Sequence, residues 1–167
     1  QLIDMIVGKM NKMPTLKEFY DATKKRVIFV IVSMKEERLI YMDYNSHPDI
    51  SLLKAMRATS NSPLFFGKLE HQKDYMVDGA IMRPFPINYL DDGKTDILGI
   101  GVKDKRKFDM KKMTFFSYYD REMSLMLNEL TSYAIANSSD KCISIIIPVE
   151  DDMSMLDKGD DVDRRIK

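Results

Sequence analysis

The sequence is poor in the residues that most often betray a function. Cys142 is its single cysteine, so no disulfide framework ties the chain together. That suits a reducing intracellular compartment better than secretion. Cys142 sits in "KCISIII", the setting of a small buried strand residue rather than of a nucleophile. His47 and His71 are the only histidines, and no closely spaced Cys/His pair exists, which removes a structural zinc site. Neither sign of charge is in excess, since 26 Lys plus Arg balance 26 Asp plus Glu. Nucleic-acid binders usually carry a basic surplus, so no nucleic-acid partner is expected. No apolar run approaches the ~18 residues of a membrane span, and the front of the chain lacks the pattern of a signal peptide. Also missing are a G-x-S-x-G elbow, a glycine-rich phosphate loop, a D-x-D-x-D-G calcium loop and the closely paired carboxylates of glycosyl transfer. No cofactor and no metal are expected.

What is present reads as a folded α/β chain. The 167 residues suit one domain or a large piece of one, and 44% hydrophobic against 31% charged residues allow a sizeable core. "QLIDMIVGKM" (1–10) looks like the body of a helix and "GDDVDRRIK" (159–167) like the start of another, so an internal fragment of a longer protein is expected. The basic "KDKRKFDMKK" (103–112) and the acidic "EDDMSMLDKGDDVD" (150–163) read as solvated faces.

"PTLKEFYDATKKR" (14–26) predicts a helix, because Thr15 and Glu18 have the spacing of a capping box. "RVIFVIVS" (26–33) is a continuous apolar run of the kind found in strands covered on both faces, and "RLIYMDY" (38–44) is its hairpin partner. "HPDISLLKAMRATS" (47–60) predicts a largely buried helix capped by Asp49 and ended by Pro63. "KDYMV" (73–77) is a short strand; "TDILGIGV" (95–102) and "CISIIIPV" (142–149) are further buried strands. Between them, 117–139 predicts a long helix whose Met123, Met126, Leu127, Leu130 and Ala134 face a core. The expected fold class is α/β: a layered sheet of mainly parallel buried strands flanked by helices, with crossovers at 50–59 and 118–136.

Within "DYMVDGAIMRPFPI" (74–87), Asp78–Gly79 is open to two readings. Asp-Gly between two apolar stretches is a two-residue hairpin signal, because glycine accepts positive φ freely. The other reading is a functional carboxylate at a strand end, where α/β sheets gather ligands.

The order of segments narrows this choice. A T-x-x-E-F helix start (Thr15, Glu18, Phe19) precedes the strand at 26–33. A helix ending in Ala55, Arg57, Ala58, Thr59, Pro63 and Phe66 follows, and then Tyr75, Val77, Asp78, Gly79, Ala80 and Pro86. With "SMLD" (154–157) near the C-terminal end, nearly the whole chain resembles the C-terminal portion of a single patatin-like phospholipase domain, here spanning 1–167.

The resemblance implies a serine–aspartate dyad acting on a phospholipid or other acyl lipid, with peripheral membrane contact. Asp78 is then the catalytic general base, with Gly79 and Ala80 completing its D-G-A motif. The serine elbow and oxyanion loop of such enzymes lie upstream of the matching segment, so this piece alone is expected to be inactive. "RPFP" (83–86) replaces the family's N-x-P, which bears on the packing of the loop behind the acid. Two other readings stay open: a patatin-like scaffold without catalysis that binds or regulates, and an unrelated nucleotide-binding module. The latter would need a glycine loop at a strand-to-helix turn, whereas "ILGIGV" lies inside a strand. A capping or solvent-facing role is expected for His47, and His71 falls in a polar loop bordering the strand of Asp78. Leu64, Phe65 and Phe66 could touch a lipid surface, and the basic stretch at 103–112 could assist at an anionic one.

Overall fold

The computed structural model describes residues 12–62, 66–107, 111 and 114–150. The helices expected at the two ends, the "SMLD" segment, most of the acidic run, and Pro63, Leu64 and Phe65 lie outside these residues. The described chain divides into two compact units, one ending at Tyr89 and the other beginning at Leu90.

The first unit begins with α1 (Leu16–Thr23). Its capping box forms as the spacing predicts: Glu18 N–H donates to Thr15 Oγ1 at 3.2 Å, and Thr15 N–H to Glu18 Oε2 at 2.9 Å. β1 (Phe29–Ser33) and β2 (Arg38–Met42) form the expected antiparallel hairpin. α2 (Leu52–Thr59) begins two residues later than the sequence suggests, and its cap is Ser51 rather than Asp49. The reason is tertiary. Thr15 and Ser51 form an antiparallel bridge in which Leu52 N–H donates to Pro14 O and Leu16 N–H to Ile50 O. Extended backbone at 50–51 delays the helix until Ser51 Oγ can accept from Lys54 N–H at 3.2 Å.

β3 (Leu69–His71) and β4 (Asp74–Asp78) complete a sheet ordered β2-β1-β4-β3, in which every pairing is antiparallel. The expectation of mainly parallel strands fails for this unit, and α2 is not a parallel crossover. A continuous apolar run shows only that both faces are covered; it carries no direction. "LEHQK" (69–73), expected as a polar loop, contains β3 and a true two-residue hairpin, with Gln72 and Lys73 both at positive φ (51° and 63°). Ile31, Met42, Leu52, Ala55, Ala58 and Met76 form the core between the sheet and the two helices.

The second unit matches the α/β expectation more closely. β5 (Ile97–Asp104) and β6 (Cys142–Val149) are parallel in a two-stranded sheet, joined by α3 (Phe115–Ala136) as the crossover. Neither strand is buried on both faces, however. Leu98, Ile100 and Val102 stand beside Ile143, Ile145 and Ile147 on a face where all six are half exposed or more. On α3 only Thr131 and Ala134 are buried, so Met126 and Leu130 do not belong to a core as expected. Among the described residues no helix is long and apolar enough to cross a membrane.

Candidate active site

Asp78 ends β4, where the strand turns directly into a 3₁₀ turn at Gly79–Ile81. The hairpin reading of Asp78–Gly79 is therefore incorrect. Asp78 has φ −51° and ψ 129°, its Oδ1 accepts from Ala80 N–H at 2.8 Å, and Gly79 O accepts from Met82 and Arg83 N–H. This is a side chain capping a short helical turn, as Asp does well.

Gly79 is needed for a reason other than positive φ, since Gly93 is the one described glycine with that conformation. A Cβ on Gly79 would stand 2.6 Å from the Val30 carbonyl carbon and collide with its oxygen. Thr59 Oγ1, at the end of α2, donates to the same carbonyl at 2.7 Å. One main-chain carbonyl of β1 thus fixes both the end of α2 and the start of the turn after Asp78.

β4 is held on its other side by Asn61, which the sequence reading did not single out. Asn61 is buried; its Nδ2 donates to Met76 O at 2.8 Å, and its own carbonyl accepts from Asp78 N–H at 3.1 Å. Tyr75 O is taken by Met34 N–H from the β1 side, so Met76 O and Asp78 N–H face the opposite side, where β3 has ended at Leu69. Asn61 continues the ladder in place of the missing strand. Its Oδ1 is buried with no hydrogen-bond partner among the described residues, and such groups are rare enough to matter.

The Asp78 carboxyl is half buried, and this desolvation raises its pKa above the usual aspartate value, against the opposing hydrogen bond from Ala80. Ala80 N–H engages Oδ1, and among the described residues no protein group donates to Oδ2. Such a carboxylate is more basic than a solvated one and keeps one oxygen available to take a proton.

The "RPFP" segment does not loosen this region. Phe85 and Ile87 are buried, and Tyr89 stacks on Tyr41 of β2 with ring centroids 3.6 Å apart. The histidines are placed elsewhere. His71 lies in β3 with Nδ1 3.1 Å from Lys54 Nζ, and its pKa is lowered by desolvation and by the nearby Lys54 charge. His47 Nδ1 is 3.0 Å from Ser46 Oγ. Among the described residues neither is hydrogen-bonded to Asp78. A different Ser–Asp contact, Ser33 Oγ to Asp74 at 2.5 Å, is structural, because Ser33 is fully buried and its oxygen also accepts from Glu36 N–H. The Cys142 thiol has its pKa raised by desolvation and by Asp91, so it is not an activated thiolate.

The patatin-like phospholipase family model matches residues 8–91, which covers half of the chain and ends two residues past the first compact unit. The chain is also 21% identical to the probable lipid hydrolase 463L of Invertebrate iridescent virus 6, over 98% of this chain and 56% of that protein. It therefore spans about half the length of the curated relative it matches.

Proposed function

Because the chain belongs to the patatin-like phospholipase family, we propose that it forms the C-terminal portion of a lipid acyl hydrolase in which Asp78 is the general base. The observation that carries this reading is the state of the Asp78 carboxyl: half buried, raised in pKa, and held at a strand end by a single backbone amide. An alcohol is a far weaker acid than a carboxylic acid, so a carboxylate base gains from any rise in its own proton affinity. Desolvation supplies that rise. The remaining demand falls on donors that stabilise the oxyanion, which belong, with the serine, to residues outside this chain.

In the proposed cycle the serine oxygen attacks the acyl carbonyl of a lipid ester while Asp78 takes its proton. Collapse of the tetrahedral intermediate expels the alcohol, which recovers the proton from Asp78. Water then attacks the acyl-enzyme with Asp78 again as base, releasing the fatty acid. Among the described residues His47 and His71 are bonded to Ser46 and Lys54 and not to Asp78, which favours a dyad over a three-residue relay.

The test is hydrolysis of a phospholipid and of a soluble p-nitrophenyl ester by the full-length polypeptide. Asp78→Asn is expected to abolish both activities, and His71→Ala to leave most of each. Loss with His71→Ala and retention with Asp78→Asn would remove Asp78 from the role. If the unsubstituted polypeptide folds yet hydrolyses neither ester, the binding-scaffold reading takes over.

A further inference from the structure

A second site lies within the Leu90 onward unit, in a cavity of about 320 Å³ between α3 and the β5–β6 pair. Lys103 and Lys105 enter from the carboxyl end of β5; Thr131, Ser132 and Ile135 come from α3, and Ile146 and Pro148 from β6. We propose that this cavity binds a phosphate group, either free or as the headgroup of a lipid.

Position, charge and donor supply converge on that ligand. The two strands are parallel and joined by a helix, and in such units ligands collect beyond the carboxyl ends of the strands. The lining carries two ammonium groups and no carboxylate. Asp104, between the two lysines in sequence, is engaged by Arg106, whose guanidinium donates to it at 2.7 and 3.0 Å and reaches Asp120 as well. The cationic character of the cavity is therefore not cancelled by its neighbour.

The lining is also arranged to donate hydrogen bonds. Ser132 Oγ donates to Asn128 O at 2.9 Å, which turns its lone pairs toward Lys103 Nζ at 3.3 Å. Lys103 is positioned by this contact and keeps two N–H groups for a ligand. Thr131, buried at 4% relative exposure, also lines the cavity and brings a second hydroxyl to it. Two ammonium groups beside the hydroxyl-bearing Thr131 and Ser132 suit the several acceptor oxygens of a phosphate. Ile135, Ile146 and Pro148 add an apolar wall for the first carbons of a phosphoester. The volume sits at the lower end of small-molecule pockets, sized for a headgroup rather than a whole lipid.

This inference stands apart from the hydrolase reading, because no residue of the first unit lines the cavity. The probes are inorganic phosphate and glycerol 3-phosphate by calorimetry, and phosphatidic acid against phosphatidylcholine vesicles by co-sedimentation. The unsubstituted chain is expected to bind phosphate saturably. K103Q/K105Q is expected to weaken binding about tenfold or more, and Thr131→Val severalfold, while Asp78→Asn leaves it unchanged. K24Q/K25Q, which removes the same charge from the end of α1, serves as control. Saturable binding of the soluble probes alone assigns the site to free phosphate or a soluble phosphoester. Added retention on phosphatidic acid vesicles that K103Q/K105Q abolishes assigns it to a headgroup. Absence of saturable binding of every probe, or equal loss in K24Q/K25Q, overturns the proposal.

Discussion

At the scale of single residues, Asp78 carries opposite demands. Its pKa is raised by burial, so the folded state favours the protonated form. The stability this confers is complete below the ordinary aspartate pKa and is lost as pH rises through the folded value. At neutral pH the ionised carboxylate therefore destabilises the fold. Asp78→Asn, which keeps an acceptor for Ala80 N–H, is expected to raise the melting temperature by a few degrees at pH 7, with the gain vanishing below about pH 4. A lower melting temperature at pH 7 would show that the charge is stabilised by something other than its visible neighbours. On the proposed reading of Asp78 as general base, kcat/KM of the full-length polypeptide should climb with pH through a midpoint above that of a solvated aspartate, because a base works ionised. Asn61→Ala removes the donor to Met76 O and is expected to destabilise by about 1–3 kcal/mol in urea titrations, with kcat falling more than KM changes. Of this trio, Asp78 was legible in the sequence as a candidate and Gly79 was the right residue for the wrong reason. Its necessity comes from Val30, 49 positions earlier. Asn61 was illegible, because an asparagine after a helix looks the same whether it faces water or completes a sheet.

At the scale of elements, legibility followed the range of the interactions. The α1 capping box was readable because both partners lie within four residues. The α2 cap was misassigned because a bridge to Thr15 sets where that helix can begin. Ser51→Ala is accordingly expected to cost about 1 kcal/mol and Asp49→Ala only a few tenths, a difference that thermal melts resolve. The hairpin signal was misplaced for a related reason. The turn between β3 and β4 is built from Gln72 and Lys73, neither suited to positive φ, whereas the favourable Asp-Gly pair serves a 3₁₀ turn instead. Lys73→Gly relieves left-handed strain and should stabilise by about 1 kcal/mol. Strand direction was beyond reach, since apolar runs in β1 and β5 look alike while one pairs antiparallel and the other parallel.

At the scale of the whole molecule, Asp43 is one of the carboxylates that make stability sensitive to acid. Its burial alone would raise the pKa, but hydrogen bonds from Ser46, Arg26 and Asn45 outweigh that and bring it down to about 2. A depressed carboxyl pKa gives stability that is present above the ordinary value and lost as pH falls toward the folded one. Asp43→Asn should be less stable by about 2 kcal/mol at neutral pH and converge with the parent chain near pH 2, measured by denaturant titration across pH. The exposed aliphatic face of β5 and β6 has its own signature: the chain should bind a hydrophobic dye in its native state, and Ile145→Lys should reduce the signal without loss of helicity. Among aspartyl dipeptides, Asp–Gly cyclises most readily to a succinimide, which reopens largely as isoaspartate and so inserts a carbon into the main chain. Here the fold itself acts as preservative: with Oδ1 held on the Ala80 amide, the Asp78 side chain is not free to swing onto the Gly79 nitrogen that would attack it. Preparations that linger partly unfolded should therefore age at this bond faster than folded ones, displacing the Asp78 carboxylate by one carbon while the bulk of the chain still refolds.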